Sequence, residues 1–419
     1  MKRRTTKIVL GLVVLLLLAL PLAAACEPKE NEPPVEKTVL VGYIGDFSGA
    51  TALASGRLWT AAREFFKWAN ETNYLPGVTV TWTEEDDRYD PGQVPIAYRN
   101  IMTKEPMVLF TMRAATSAVL KPLVDRDKIP VLSFTGSVAT AQEPVGYVFQ
   151  ESFVPEINFN VFLNYVADTW EGSKPARIAS LSWDTDDGRQ HINSGVDTAA
   201  ELGIDFKREY AEIAPPGTMD LKTYLIRIQE LNPDYIFFPL PGPATGSAVK
   251  AMATMGMDTK KAVYIVMSGG GMYQELTSVA GEELTWGGTL VMADYAYSDP
   301  LITEDQERLK SFMENSEYGW DAKYHVNAVS FYTSAKILYE GLRIAIEDVG
   351  IENLSREALY NALQKINNFD TGVSLPVTFG PNDRLSNQSA YIYEIGTDSI
   401  PHLKTTKVYN WPQKWPGVY

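Results

Sequence analysis

Cysteine is almost absent from the sequence, because Cys26 is the only one among 419 residues. No internal disulfide can therefore form, and the chain cannot build a cysteine-rich metal site. Histidine is also scarce. The three copies, His191, His325 and His402, stand far apart in the sequence, without the spacing that metal ligands require. The fold must therefore be stabilised by its hydrophobic cores, and we expect neither a metal ion nor a cofactor.

Common catalytic motifs are missing as well. The sequence has no G-x-S-x-G elbow, no H-E-x-x-H pair and no cysteine nucleophile after Cys26. The segment DTDDG, Asp184 to Gly188, resembles a calcium-binding loop, but its glycine comes one place early. Its twelfth position is Gly195, where such a loop needs a bidentate glutamate. These absences predict that the protein is not an enzyme.

Positive charge is in deficit. Four of the 37 basic residues and none of the 52 acidic residues lie in residues 1–25, so the chain from Cys26 onward has a formal charge of −19. A surface this acidic repels nucleic-acid phosphates and anionic lipid headgroups. We therefore expect no nucleic-acid partner and no electrostatic adsorption to a membrane.

The N-terminal segment has the three parts of a secretion signal, namely basic residues, an apolar stretch at 8–22 and small residues before Cys26. The apolar stretch is shorter than the roughly 17 to 25 residues of a membrane-spanning helix. Leu22-Ala23-Ala24-Ala25 before Cys26 resembles the lipobox of bacterial lipoproteins, with Ala23 where leucine is usual. This resemblance implies that residues 1–25 are removed, that Cys26 is acylated and that residues 26–37 form a tether. The alternative is an unlipidated secreted protein with one chance cysteine.

From Thr38 onward, short apolar strands alternate with helical stretches, a pattern that predicts parallel sheets covered by helices in two α/β lobes. In such sheets, ligands bind beyond the carboxyl ends of the strands. The loops there are rich in Gly, Ser, Thr and Asp, which suits a polar ligand. The predicted strands are Val39–Ile44, Val78–Trp82, Met107–Thr111, Val131–Phe134, Ile178–Trp183, Asp205–Tyr210, Tyr235–Leu240 and Val263–Met267.

Several segments resemble the leucine/isoleucine/valine-binding proteins in order and spacing: Val41–Glu71, Thr83–Ile101, Ile129–Gln150 and Arg177–Gly188, with others further along. The resemblance implies a type I periplasmic-binding-protein fold, with two Rossmann-like lobes joined by a three-crossover hinge. It also implies that a small molecule binds between the lobes and that an ABC permease is the partner. Lobe one would comprise residues 38–152 and 292–377, and lobe two would comprise residues 153–291 and 378–419.

The resemblance also implies ligand-binding residues in lobe one. The loop Thr135-Gly136-Ser137 aligns with the loop that holds the ligand's carboxylate and amino group. Ala114-Ala115-Thr116-Ser117 aligns with a partner loop, in which Thr116 or Ser117 would supply a hydroxyl. Arg113 could pair with a carboxylate through its planar fork, or it could point outward into solvent.

In lobe two, Asp187 could accept hydrogen bonds from an ammonium or hydroxyl group of the ligand, or it could simply cap a helix. Ser268 and Gly269 open a glycine-rich segment where amino-acid binders of this family carry a glutamate for the ammonium group. The absence of that glutamate leaves the ligand open between an amino acid, another carboxylate, and an amide or urea.

The sequence thus predicts a lipoprotein on the extracytoplasmic face of the cell membrane that delivers an amino acid or a related carboxylate or amide to an ABC permease. A ligand-sensing receptor subunit of the same fold is one alternative. A lipid-anchored hydrolase is the other.

Overall fold

The computed structural model describes residues 36–49, 51–142, 144–152, 154–265, 271–286, 290–293, 303–320, 326–386, 388–399 and 401–410. The predicted signal peptide, Cys26 and the first part of the tether lie outside the described residues. So do Ser268 and Gly269.

Helices and strands alternate along most of the described chain. The strands are β1 (Lys37–Gly45), β2 (Val78–Asp86), β3 (Val108–Thr111), β4 (Val131–Ser133), β5 (Val148–Gln150), β6 (Ile178–Trp183), β7 (Ala211–Ala214), β8 (Tyr235–Phe238), β9 (Ala262–Ile265), β10 (Leu290–Ala293), β11 (Ser389–Ile395) and β12 (Pro401–Asn410). The α-helices are α1 (Ala52–Glu71), α2 (Val94–Met102), α3 (Ala114–Asp127), α4 (Val138–Gln142), α5 (Pro155–Thr169), α6 (Asp186–Leu202), α7 (Lys222–Glu230), α8 (Gly242–Thr254), α9 (Gly271–Ala280), α10 (Glu304–Glu314), α11 (Val326–Val349) and α12 (Arg356–Leu363).

The first sheet is entirely parallel and has the strand order β2-β1-β3-β4-β5. Side chains of β1 alternate between two buried faces. Val39, Val41 and Tyr43 belong to a core with residues of α1 and α11, whereas Ile44 packs among residues of α2 and α3. A strand that is buried on both faces reads as a continuous apolar run, which is why β1 was visible in the sequence.

The second sheet has the order β12-β11-β10-β9-β8-β6-β7. Its strands β6 to β10 are parallel, whereas β11 and β12 add an antiparallel pair at one edge, so the sheet is mixed rather than purely parallel. On β6, Ile178 packs on the side of α5 and α6, and Ala179 and Leu181 pack on the side of α7 and α8.

The chain passes between the two sheets three times. It leaves the first sheet after Gln150, returns after Ala293 to helices that pack on α1, and leaves again before β11. Two α/β lobes joined by three connections form the type I periplasmic-binding-protein fold, as the sequence predicted. Ligands of open parallel sheets bind beyond the carboxyl ends of the strands, which locates the candidate site.

The strand predicted near Asp205 to Tyr210 begins later in the chain. Residues Asp205 to Tyr210 do not form a strand, because the segment ends in a short 3-10 helix, Arg208–Tyr210, and the strand β7 follows it at Ala211–Ala214. The charged side chains at Lys207, Arg208 and Glu209 remain exposed, whereas Ala211 and Ala214 are buried. The strand thus begins at a buried alanine that follows the exposed charged residues.

Candidate functional site

Two acidic side chains organise the carboxyl edge of β1 and β2. The buried Asp46 carboxylate accepts hydrogen bonds from the backbone N–H groups of Ser48, Gly49 and Thr51, which folds the turn into α1. Asp86 accepts from the N–H groups of Phe47 and Arg88, at 2.9 Å each, and from the Ser48 hydroxyl at 2.6 Å. Although desolvation alone would raise it, these hydrogen bonds hold the pKa of Asp86 below its usual value.

A buried ion pair lies beside these turns. The Nη2 atom of Arg113 lies 2.5 Å from Oδ2 of Asp87, and the Thr116 hydroxyl donates to the same oxygen at 2.7 Å. Asp87 is fully buried and Arg113 is only 9% exposed, so the interpretation of Arg113 as an outward-facing residue is wrong. The Nε atom of Arg113 is buried without a hydrogen-bond partner in the described part of the chain. The ion pair with Asp87 therefore leaves this Nε donor unsatisfied among the described residues.

The loop after β2 brings Tyr89 onto this pair. The Arg113 Cζ atom lies 4.4 Å from the centre of the Tyr89 ring, within the range of a cation–π contact. Arg88 and Tyr89 have φ values of 54° and 59°, a left-handed conformation that costs about 1 to 2 kcal/mol for each non-glycine residue. The Asp87 carboxylate offsets this cost by accepting a hydrogen bond from the Tyr89 N–H group at 3.1 Å.

The segment that the resemblance aligned with a loop begins helix α3 instead. The helix starts at Ala114, with Arg113 as its N-cap residue, so Ala114, Ala115 and Thr116 form its first turn rather than a loop. Ala114 and Ala115 are exposed at this end. The N–H groups in the first turn of a helix have no acceptor within the helix, and together with the helix dipole they attract anions. The start of α3 therefore suits a negatively charged group.

The hydroxyl groups that the resemblance assigned to the ligand bond to the protein itself. Ser117 is fully buried and donates to the Arg113 carbonyl at 3.0 Å, besides pairing with the Ser133 hydroxyl at 2.6 Å. Thr135 donates to the Met112 carbonyl at 2.8 Å. The Ser137 hydroxyl accepts from the Thr140 N–H group at 3.1 Å. These contacts stabilise the loops, and the hydroxyl protons of Ser117 and Thr135 are used inside the protein.

Gly136 allows a close approach of its backbone, but the group that approaches it is a protein side chain near the hinge, that of Gln150. A Cβ atom at this position would lie 2.4 Å from Oε1 of Gln150. Gln150 is fully buried, and its Nε2 donates to the carbonyls of Phe134, at 2.6 Å, and Ser152, at 3.2 Å. Glycine at 136 thus lets the loop after β4 pack against the strand that leads into lobe two.

In lobe two, Asp187 lies in the first turn of α6. The N-cap of that helix is Thr185, whose hydroxyl accepts from the Gly188 N–H group at 3.1 Å, so Asp187 is not the N-cap residue. Neighbouring Asp184 pairs with Arg189 at the surface. The structure describes the backbone of Asp187, and its role toward a ligand stays a prediction.

Asp46, Asp86 and Asp87 bring carboxylate oxygens within 4.8 Å of one another, a grouping that could hold a metal ion. Each of these carboxylates already accepts hydrogen bonds from N–H or O–H donors of the protein. A bound cation would have to replace those donors. The grouping is thus accounted for by the turns it stabilises.

The sequence indicated Arg113 and the polar loops after the strands, but it did not single out Asp87 or Tyr89. Asp87 stands next to Asp86 and near Asp90, and nothing in the sequence separates the buried acid from its neighbours. The only usable signal was that all three follow the predicted strand Val78–Trp82 within eight residues.

Comparison with known proteins identifies the family. A family profile described as periplasmic binding protein matches residues 38–399, so the chain belongs to the periplasmic-binding-protein family. Members of this family bind solutes without chemical turnover, which confirms the prediction that the chain is not an enzyme. The family match also confirms the prediction that the chain is an extracytoplasmic binding protein. A search of curated proteins gave no match.

Solved structures share the fold at low sequence identity. A branched-chain amino acid ABC transporter protein from Thermus thermophilus with bound valine superposes with a TM-score of 0.75 at 19% identity, over 90% of this chain and 97% of that one. A fatty acid ABC transporter substrate-binding protein from Thermomonospora curvata gives 0.74 at 16% identity, over 91% and 95%. A solute-binding protein from R. palustris in complex with 4-hydroxybenzoate gives 0.70 at 21%, over 89% and 97%. The structural similarity establishes the fold, but at identities this low it does not identify the ligand.

Among the helices that the structure describes, none is both long and apolar enough to span a bilayer.

Proposed function

We propose that this protein is an extracytoplasmic lipoprotein that captures a small carboxylate-bearing solute between its lobes and delivers it to an ABC permease. The observation that carries the proposal is the Arg113 guanidinium, held by Asp87 at the N-terminus of α3, with a buried Nε that lacks a partner among the described residues. An arginine fork next to free helical N–H groups is a recognition site for a planar anion.

We assign the acid group of the ligand to the Arg113 guanidinium and to the first-turn N–H groups at Ala114 and Ala115. The hydroxyls of Thr116, Ser117, Thr135 and Ser137 hold the surrounding loops in place. The ligand would contact both lobes only in the closed state. Its binding would therefore shift the hinge equilibrium toward closure. The closed form is then the state that a permease would recognise.

Neighbours of this fold bind ligands that carry a carboxylate, namely valine in the T. thermophilus protein and 4-hydroxybenzoate in the R. palustris protein. This common feature supports a carboxylate in preference to an amide or urea. Specificity for leucine, isoleucine or valine in particular has no support from the residues at the described part of the site.

A thermal-shift screen of amino acids, aliphatic and aromatic carboxylates, amides and urea tests the function. A carboxylate present at 100 times its dissociation constant should stabilise the protein by about 2.7 kcal/mol. Stabilisation by amides alone would contradict the assignment of Arg113. Chemical turnover of a bound compound would instead indicate a hydrolase, and a gene neighbourhood without permease and ATPase genes would favour a sensor.

The lipid anchor is tested separately at Cys26. We expect Cys26→Ser to remain unprocessed or to be released from membranes, because serine has no thiol to form the thioether link to lipid. Membrane fractionation and intact mass measure this, and ligand binding should be unchanged. A processed Cys26→Ser protein that stays in the membrane fraction would contradict lipidation.

A further inference from the structure

Tyr89 is the large side chain that the strained loop after β2 presents beside Arg113. Its ring contacts the guanidinium on one side, yet the residue remains 48% exposed. An exposed aromatic ring in a loop needs no special explanation. The backbone of Tyr89, however, has a left-handed conformation, and the buried Asp87 carboxylate holds it there through a hydrogen bond. The loop therefore positions an aromatic surface next to the donor that the proposed function assigns to the ligand.

At the same edge of lobe one, the three carboxylates nearest to Arg113 are already engaged within the protein. Asp46 and Asp86 accept several backbone hydrogen bonds each, and Asp87 is paired with Arg113. At this edge, the groups that remain for a ligand are the anion-binding guanidinium of Arg113 and the aromatic ring of Tyr89. This combination fits a molecule with an acid at one end and a flat apolar body beside it.

We propose that the ligand is an aromatic carboxylate, whose acid group binds Arg113 and whose ring packs against the exposed part of Tyr89. The inference rests on the proposed function and specifies its ligand class. Tyr89 is then a specificity-determining residue, because aromatic rings favour each other in stacked or edge-to-face contacts beyond the gain from burial alone.

Calorimetry with four probes tests the inference on the full-length wild-type protein. Benzoate combines acid and ring, cyclohexanecarboxylate keeps the acid on a non-planar body, benzamide keeps the ring without the charge, and L-leucine adds an ammonium group. We expect benzoate to bind most tightly. We expect Tyr89→Leu to weaken benzoate about tenfold while it changes cyclohexanecarboxylate little, whereas Tyr89→Phe should retain benzoate binding.

Tyr74 provides the matched control, because it is 42% exposed and follows the C-terminal end of α1, at the opposite edge of the sheet. Tyr74→Leu should leave all four affinities unchanged. Equal weakening of benzoate and cyclohexanecarboxylate by Tyr89→Leu would overturn ring recognition, since Tyr89 would then act only through Arg113.

Leucine or cyclohexanecarboxylate binding to the wild type at least as tightly as benzoate would also overturn the inference, and the solute-binding function would stand. Failure of all four probes to bind would overturn the aromatic carboxylate. The wider thermal-shift screen would then decide the proposed function independently.

Discussion

Replacing Asp87 with alanine should lower the free energy of unfolding by about 3 to 5 kcal/mol, because it leaves the buried Arg113 cation without its partner. The substitution also removes the acceptor for the Thr116 hydroxyl and for the Tyr89 N–H group. Urea unfolding of the purified protein measures the change. Loss of Asp87 should in addition release the loop after β2 and weaken ligand binding.

A double-mutant cycle separates the ion pair from the packing around it. In the Asp87→Ala background, Arg113→Met should restore part of the lost stability, because it removes the uncompensated buried charge. Asp184→Ala is the matched control, since its carboxylate pairs with Arg189 but is 54% exposed. Surface pairs of this kind contribute at most about 1 kcal/mol. Equal losses from Asp87→Ala and Asp184→Ala would contradict the argument that burial makes the Asp87 pair strong.

Much of the fold could be predicted from the sequence because its parallel strands are buried on both faces. β6 was predicted with its observed bounds, Ile178–Trp183, and β1 within two residues at one end and one at the other. The antiparallel pair β11 and β12 was not predicted, since it lies at a sheet edge and its strands carry polar residues between apolar ones. Apolar runs reveal interior strands more readily than edge strands.

The candidate site was predictable only in part. Position after a strand identified the loops that contain Arg113, Thr135 and Asp87, because the topology of parallel sheets brings those loops to one edge. The sequence could not show that Asp87 pairs with Arg113, which is 26 residues away. It also could not show that the hydroxyls of Ser117 and Thr135 bond within the protein, since hydroxyl groups suit a ligand and a turn equally well.

The hinge contains a second buried cation, and its partners differ from those of Arg113. Arg384 is fully buried between the last helix of lobe one and β11. Its Nε donates to the Gly146 carbonyl at 3.0 Å, its Nη2 donates to the Tyr360 hydroxyl at 2.9 Å, and its Nη1 donates to the Gly380 carbonyl. The guanidinium also lies 4.6 Å from the centre of the Phe149 ring. Desolvation lowers the pKa of Arg384.

These contacts fasten the third connection to lobe one. The Gln150 N–H group donates to the Arg384 carbonyl at 2.7 Å, and the Ser386 N–H group donates to the Gln150 carbonyl at 2.9 Å. Two of the three chain segments that join the lobes are thereby paired with each other. The Arg384 side chain ties this pair to lobe one through its contacts with Gly146, Tyr360 and Phe149.

We therefore expect Arg384→Met to destabilise the protein by about 3 kcal/mol or more, because buried acceptors at Gly146 and Gly380 lose their donor at about 1 to 3 kcal/mol each. Arg384→Lys should recover little of the lost stability. An ammonium group is not planar, so it cannot donate to several acceptors and stack on an aromatic ring as a guanidinium does. Arg343→Met is the control, because its ion pairs with Glu340 and Glu347 are at the surface.

Hydrogen exchange locates the effect of Arg384→Met. The amides of Gly380, of residues 382–386 and of Gln150 should exchange faster in the variant, whereas those of β3, within the first sheet, should keep their protection. Uniformly faster exchange over both regions would mean that Arg384 stabilises the whole lobe rather than the hinge. Unchanged exchange at 380–386 would show that the two hydrogen bonds between Gln150 and this segment hold the connection without the arginine. Faster exchange confined to residues 380–386 and Gln150 would show that Arg384 is the residue through which lobe one anchors the hinge.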